Sequence, residues 1–338
     1  MKVGNISQTV WNRSVCRQLH IEEDEILFPP SLEEPCSAFC LPAEQEKSKK
    51  RKRVVIYTNA EVFGDAVNVG NFAIYRALND LAVRGACPVS VSLRILLTPS
   101  IVEERLKEMI VCMEAVCQTA GVSITGVKAE VSPAVTYPIV FAVAAGYMGA
   151  ESMTRASEAL PGQELVLCGY AGLEGTLRIL AEQKDELAKR FVPAFIRKTK
   201  ELENQLAALD AIAAARCAGA SAIHQVGQGG IFAALWELGE ASKVGMDVDM
   251  LKLSVRQETI EICEYYGVNP YQLTSAGCIL MTSNDGDSLV KTLEGVGARA
   301  TRLGVIRHKK ARVITSKTEQ RYLDRPAPDE LMLWWERE

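Results

Sequence analysis

The segment His224-Gln225-Val226-Gly227-Gln228-Gly229-Gly230 runs directly into Ile231-Phe232-Ala233-Ala234-Leu235-Trp236-Glu237. Two consecutive glycines before an apolar run at helical spacing describe a loop that lets backbone come close to something and then opens a helix. The first turn of a helix leaves N–H groups without intrahelical partners, and these suit an anion such as phosphate. With Asp or Glu nearby the loop would also hold Mg²⁺; its polar side chains are instead two neutral glutamines, Gln225 and Gln228. His224 has two readings, a structural hydrogen-bonding residue or a general base, and the structural role is the commoner. A second tight glycine loop, Gly172-Leu173-Glu174-Gly175-Thr176, also leads into a helical stretch.

The elements that must position these loops follow from periodicity. Residues 1–27 carry a helix-like pattern (Val10, Val15, Leu19) ending in the acidic turn Glu22-Glu23-Asp24-Glu25. A proline-broken loop, Phe28 to Pro35, precedes a strand over 37–41 and a polar link over 42–53. That link ends in the basic run Lys47-Ser48-Lys49-Lys50-Arg51-Lys52-Arg53, with two readings, a nucleic-acid or targeting patch or a solvated loop joining two strands; the loop is the commoner, since no aromatic residue interleaves the run for base stacking. Strands are expected over 54–57, 89–97, 122–131 and 139–144, and helices over 71–82, closing at Arg84-Gly85, and 100–120, closing at Gly121. The first domain is therefore α/β, with helices on one side of a sheet. The polar, glycine-containing stretch 146–162 is the domain boundary, giving domains 1–150 and 151–338. Beyond it a strand over 164–168 precedes charge-rich helical sequence over 178–216, punctuated at Pro193. Helices over 231–242, 252–267 and 288–297 alternate with strands near 245–250, 279–282, 300–306 and 312–315.

At 338 residues, with 48% hydrophobic and 24% charged side chains, the chain suits two soluble domains with real cores. A net charge of −4 offers no global electrostatic case for nucleic acid or an anionic membrane. No apolar run reaches the roughly 18–20 residues of a membrane span, and the N-terminal residues lack a hydrophobic signal segment, so a cytoplasmic protein is expected. Ten cysteines are scattered without a C-x-x-C pair, and three histidines complete a set too sparse for a zinc site. Reduced structural thiols are expected.

Five stretches in this order carry a resemblance. They are Ala77-Leu78-Asn79-Asp80-Leu81-Ala82-Val83-Arg84-Gly85-Ala86-Cys87-Pro88, Val127 to Val135, Leu160-Pro161-Gly162-Gln163, Ala171 to Thr176, and the loop 224–230. Together they resemble the aminoimidazole ribonucleotide (AIR) synthase superfamily, and within it the AIR synthase-related proteins allied to the hydrogenase maturation factor that dehydrates a carbamoyl thioester. The resemblance implies an α/β N-terminal domain that pairs with its twin into a dimeric β-barrel, and an α+β C-terminal domain. It further implies ATP in a cleft, with acidic residues holding Mg²⁺ against the phosphates and an amide-type oxygen activated by phosphorylation. Carried onto this sequence, the metal acids are Asp80 and Glu130. The nucleotide-binding candidates are Asn79, Lys128, Gly172, Glu174, His224, Gly229 and Gly230; no residue is singled out as catalytic.

The departures fall where the family's charge should be. Its first glycine-rich acidic loop aligns with Pro29-Pro30-Ser31-Leu32-Glu33-Glu34-Pro35-Cys36, with prolines and Ser31 in place of glycines and Pro35 in place of an aspartate. The family's Thr-Asp pair is Thr58-Asn59, its Asp-Val-Thr-Glu-Gly-Gly loop is Gln225 to Gly230, and its Pro-Gly-Asp is Pro161-Gly162-Gln163. Mg²⁺ prefers hard anionic oxygens, which Asn and Gln do not supply. Lys128 stands where the family commonly has histidine, either as a phosphate contact or as an exposed strand lysine. Trp334-Trp335 reads as a packing anchor or a partner contact. The specific maturation factor carries a modified C-terminal cysteine, whereas this sequence closes on Leu333-Trp334-Trp335-Glu336-Arg337-Glu338, so carbamoyl chemistry on such a residue is not expected. Two expectations result. One is a degenerate, weakly active or regulatory member, forming a homodimer or a heterodimer with a charge-complete relative. The other is an ATP-dependent enzyme with an altered metal site.

Overall fold

The computed structural model describes residues 6–19, 26–28, 31, 34–41, 53–317 and 319–337. The acidic turn 22–25, most of the proline loop (29–30 and 32–33) and the basic run 47–52 lie outside them. The described residues divide into two compact units, one between 7 and 153 and one from 154 onward.

In the first unit, α1 (Gln8–Ser14) has no fully buried residue. The sheet is built from β1 (Cys36–Cys40), β2 (Arg53–Phe63), β3 (Cys87–Leu97), β4 (Ser123–Val131) and β5 (Ile139–Gly149). Their spatial order is β1-β2-β5-β3-β4, antiparallel throughout except for the parallel β3–β4 pair. Strict alternation along β2 and β5 sends Val54, Ile56, Val62, Val140, Ala142 and Ala144 to one buried face. That face is covered by α2 (Val69–Val83), and α3 (Glu103–Ala120) packs on α2.

All fifteen residues of α2 are buried, Asn71, Arg76, Asn79 and Asp80 included, which is unusual for a helix with four polar side chains. α3 buries only the stripe Met109, Met113, Val116 and Cys117, as its amphipathic sequence requires. The two helices approach closely at Gly70, where a Cβ would lie 2.3 Å from Met113 Sδ. The helices stand on one side of the sheet, as the sequence suggested, while β2 and β5 are longer than their apolar cores.

The second unit contains β6 (Glu164–Cys168), α4 (Leu173–Glu182), α5 (Lys184–Arg190), α6 (Pro193–Glu201), α7 (Leu209–Cys217), β7 (Ile223–Gln225) and α8 (Gly230–Ser242). It continues with β8 (Gly245–Asp249), α9 (Gln257–Tyr266), β9 (Ile279–Ser283), α10 (Gly286–Gly295), β10 (Ala300–Arg307), β11 (Arg312–Thr315), β12 (Gln320–Tyr322) and α11 (Glu330–Arg337). The strands form one mixed sheet in the order β12-β11-β8-β10-β6-β9-β7. α8 lays Ile231, Ala234, Leu235 and Leu238 on Leu165, Leu167, Met246, Val248, Leu280, Leu303 and Ile306 of the central strands. A second core joins Ile179 and Leu180 of α4, Leu187 of α5, Ile262 and Cys263 of α9, and Leu331 and Trp334 of α11. Among the described residues no helix is long and apolar enough to cross a membrane.

Candidate functional site

The two glycine loops meet a common floor, residues 269–276. Gly172 takes the left-handed conformation (φ 75°) at the start of α4, and its N–H donates to Ser275 Oγ at 2.6 Å. A Cβ there would lie 2.9 Å from the Pro270 carbonyl oxygen, so glycine is required both by conformation and by contact. Glu174 is fully buried; its Oε2 accepts from Thr274 Oγ1 and from the Ala276 N–H, each at 2.8 Å, and Arg178 stands 4.0 Å from its Oε1. These charge-assisted bonds clamp α4 to the floor and fill the carboxylate that the resemblance offered to a ligand.

In the second loop β7 ends at Gln225, Val226 donates its N–H to the Cys278 carbonyl at 2.8 Å, and Gly229 (φ 79°) and Gly230 (φ 64°) open α8. A Cβ on Gly230 would lie 2.6 Å from the Tyr271 carbonyl oxygen, so this loop too presses on the floor. The Gly229 N–H is already used: it donates at 2.6 Å to Oδ2 of Asp329, whose Oδ1 accepts the Leu331 N–H at 2.8 Å and caps α11. Burial pushes the Asp329 carboxyl up to about 6, against the lowering effect of these two N–H donors. His224 is buried, with Nε2 2.8 Å from Oε2 of the half-buried Glu237 on α8, a tie between the loop and its helix. Beside the loop a pocket of about 160 Å³ is lined by Gly229, Phe232, Asn269, Gln272, Arg321 and Arg325, among others. Phe232 stacks on Tyr271 (centroids 5.6 Å apart), and the Arg321 guanidinium lies 5.6 Å from the Phe232 ring.

In the first unit Asn79 and Asp80 are buried late on α2. The Asp80 carbonyl accepts the Cys36 thiol at 3.4 Å, and Thr58 Oγ1 donates to the Pro35 carbonyl at 2.9 Å. Arg84, fully buried, donates Nε to Glu34 Oε1 at 2.6 Å. Burial works against the Arg84 charge, yet the Glu34 carboxylate, with smaller help from Asp80, holds the guanidinium above its ordinary value. Burial and the Asp80 charge push the Cys36 thiol well up, so it is a neutral donor.

Lys128 and Glu130 are exposed on β4, where Glu130 Oε2 lies 3.6 Å from Arg94. Asp80 sits beside β1 and Glu130 on β4, the opposite edges of the sheet. Four strand spacings separate those edges, about 19 Å. The structure thus gathers Gly172, Glu174, Gly229 and Gly230 around one floor, with His224 in the same loop, and does not bring Asp80 to Glu130 within the chain. Sequence reasoning missed Asp329, although Asp329-Glu330 before an apolar helical run is a recognisable N-cap. It also missed Arg84, which is fifty positions from Glu34 and has no local signal.

Residues 50–148 match the model of the AIR synthase related protein N-terminal domain, and residues 161–316 match that of its C-terminal domain. The chain belongs to the AIR synthase-related family. The carbamoyl dehydratase HypE of Cupriavidus necator is 24% identical over 283 residues, covering 80% of this chain and 76% of the relative. A solved hydrogenase maturation protein HypE in complex with ATP superposes with a TM-score of 0.66 at 17% identity, covering 86% of this chain and 89% of the other. HypE in a HypE–HypF complex gives 0.65 at 20% identity, covering 80% and 90%. The mixed α/β architecture is shared with these AIR synthase-like structures.

Proposed function

We propose that this chain is a HypE-like member of the AIR synthase-related family whose Mg·ATP cleft is depleted of charge, so that it serves as a weakly active, regulatory or structural member. The observation that carries the reading is what its two candidate metal acids touch: Asp80 lies in the buried group that contains Arg84, and Glu130 pairs with Arg94. Mg²⁺ needs several hard oxygens converging at about 2.1 Å. Among the described residues no group of three or more His, Cys, Asp or Glu side chains could hold a metal. The described residues therefore offer no set of ligands that fits the ion implied by the family.

Calorimetry with ATP, in the presence and absence of Mg²⁺, tests the reading. Weak or undetectable Mg²⁺-dependent binding is expected. Tight Mg²⁺-dependent binding by the unmodified protein would overturn it.

A second reading, an ATP-dependent enzyme with an altered site, is favoured by the relative solved with ATP and by the glycine-opened start of α8. That reading requires Asp80→Asn to abolish Mg²⁺-dependent ATP turnover with the fold intact; equal turnover in both proteins removes it.

We further place a dimer interface on the open face of the first unit's sheet. Tyr57, Val143 and Tyr147 are exposed there, on β2 and β5, with Glu61, Arg94, Lys128 and Glu130 supplying both signs of charge. A face of mixed charge and apolar side chains can pair with its own copy across a two-fold axis. The occupant is a second copy or a charge-complete relative.

A further inference from the structure

The group at the end of α2 has a composition that a metal pocket would not tolerate. Glu34 precedes β1, Cys36 opens β1, Asp80 lies in the last turn of α2, and Arg84 caps that helix. Asp80 and Arg84 are four residues apart, one helical turn, and so share a face. Arg84 is fully buried and bonds Glu34 at 2.6 Å, while the Cys36 thiol fills the Asp80 carbonyl. Guanidinium keeps its charge at any relevant pH, is weakly hydrated, and presents its donors in a fixed fork that matches carboxylates. It is thus the cation best suited to be sealed between acids without water.

We propose that the Arg84 guanidinium is a resident cation that pairs with Glu34 and offsets part of the Asp80 charge from within the chain, standing where a divalent ion would otherwise sit at this end of α2. The inference rests on the charge-depleted reading and deepens it: the pocket has lost anionic ligands and also supplies its own positive charge. A divalent ion entering beside Arg84 would meet like charge at close range in a low-dielectric setting, where repulsion is poorly screened. Glu34 and Asp80 therefore have a positive charge beside them without a metal.

The test uses the full-length protein and Mn²⁺ without nucleotide, read by electron paramagnetic resonance of the free ion. The wild type is expected to leave Mn²⁺ free. Arg84→Gln is expected to bind Mn²⁺ at least tenfold more tightly, and adding Asp80→Asn to it should erase the gain. Mn²⁺ binding by the wild type that Asp80→Asn removes would overturn the proposal, as would a folded Arg84→Gln protein with no gain. Should Arg84→Gln fail to fold alone, recovery of its circular dichroism and melting transition by added Mn²⁺ supports the proposal, and no recovery overturns it. Because nucleotide is left out, these outcomes are independent of whether Mg·ATP binds elsewhere on the chain, which calorimetry decides separately.

Discussion

Asp329 shows how one side chain can tie a functional-looking loop to pH. An ordinary aspartate titrates near 3.8, and this one near 6 in the folded chain because burial penalises its charge. Between those values the folded state holds more protons than the unfolded state, so stability falls as pH rises. The stabilisation is complete below about 3.8 and lost above about 6, a difference of about 3 kcal/mol. Asp329→Asn cannot ionise and escapes that loss. Urea unfolding should therefore show the variant gaining on the wild type by up to about 3 kcal/mol between about pH 4 and about pH 7.5; a difference that does not change with pH would refute the assignment. The glycines of this loop were legible in the sequence, because positive φ and close backbone approach leave few other residues possible. The acceptor of the Gly229 N–H was not, since it lies a hundred positions further on.

At the scale of elements, α4 depends on a single buried carboxylate. Glu174→Ala removes the carboxylate to which Thr274 Oγ1 and the Ala276 N–H donate and which stands 4.0 Å from the buried Arg178. Breaking a buried pair from one side costs about 3–5 kcal/mol, and the variant should lose about that much in urea unfolding. Glu174→Gln keeps a carbonyl for both donors and loses only the charge, so roughly half the cost is expected. A loss below about 1 kcal/mol for Glu174→Ala would mean that the clamp is not needed. The amphipathic stripe of α3 and its Gly121 cap were readable, as was the α8 start. The charge-rich stretch 178–216 was not resolved into α4, α5, α6 and α7, because of the breaks that part them only the one at Val192-Pro193 carries a proline. β7 and β12 are three residues each, too short for any period to show. α2 was recognised by its apolar spacing, but its complete burial depends on α3 and on the sheet, which no local pattern reports.

At the scale of the whole molecule, the proposed dimer rests on the open sheet face. Three of its strands are eleven residues long. Such strands span about 36 Å, and five of them about 20 Å across, which gives about 700 Å² per copy. That is close to the roughly 800 Å² per partner of a stable protein interface. Val143, 40% exposed, and Tyr147, 57% exposed, lie on β5 in the middle of this face, where a two-fold axis would set each against the partner's surface. Lysine at both positions brings charge into the least hydrated part of the contact, and hot-spot residues at an interface centre carry most of its energy. Val143→Lys with Tyr147→Lys should raise the dimer dissociation constant by about a hundredfold or more, equivalent to about 2.7 kcal/mol. Val111→Lys is the control: Val111 is 61% exposed on α3, across the sheet from the proposed contact, and its variant should stay dimeric. Sedimentation equilibrium on the three proteins, with circular dichroism to show that each is folded, reads the outcome. A wild type that is monomeric at tens of micromolar, or a β5 double variant that remains a dimer, would show that this face does not join two copies, and the search for its occupant would turn to the charge-complete relative.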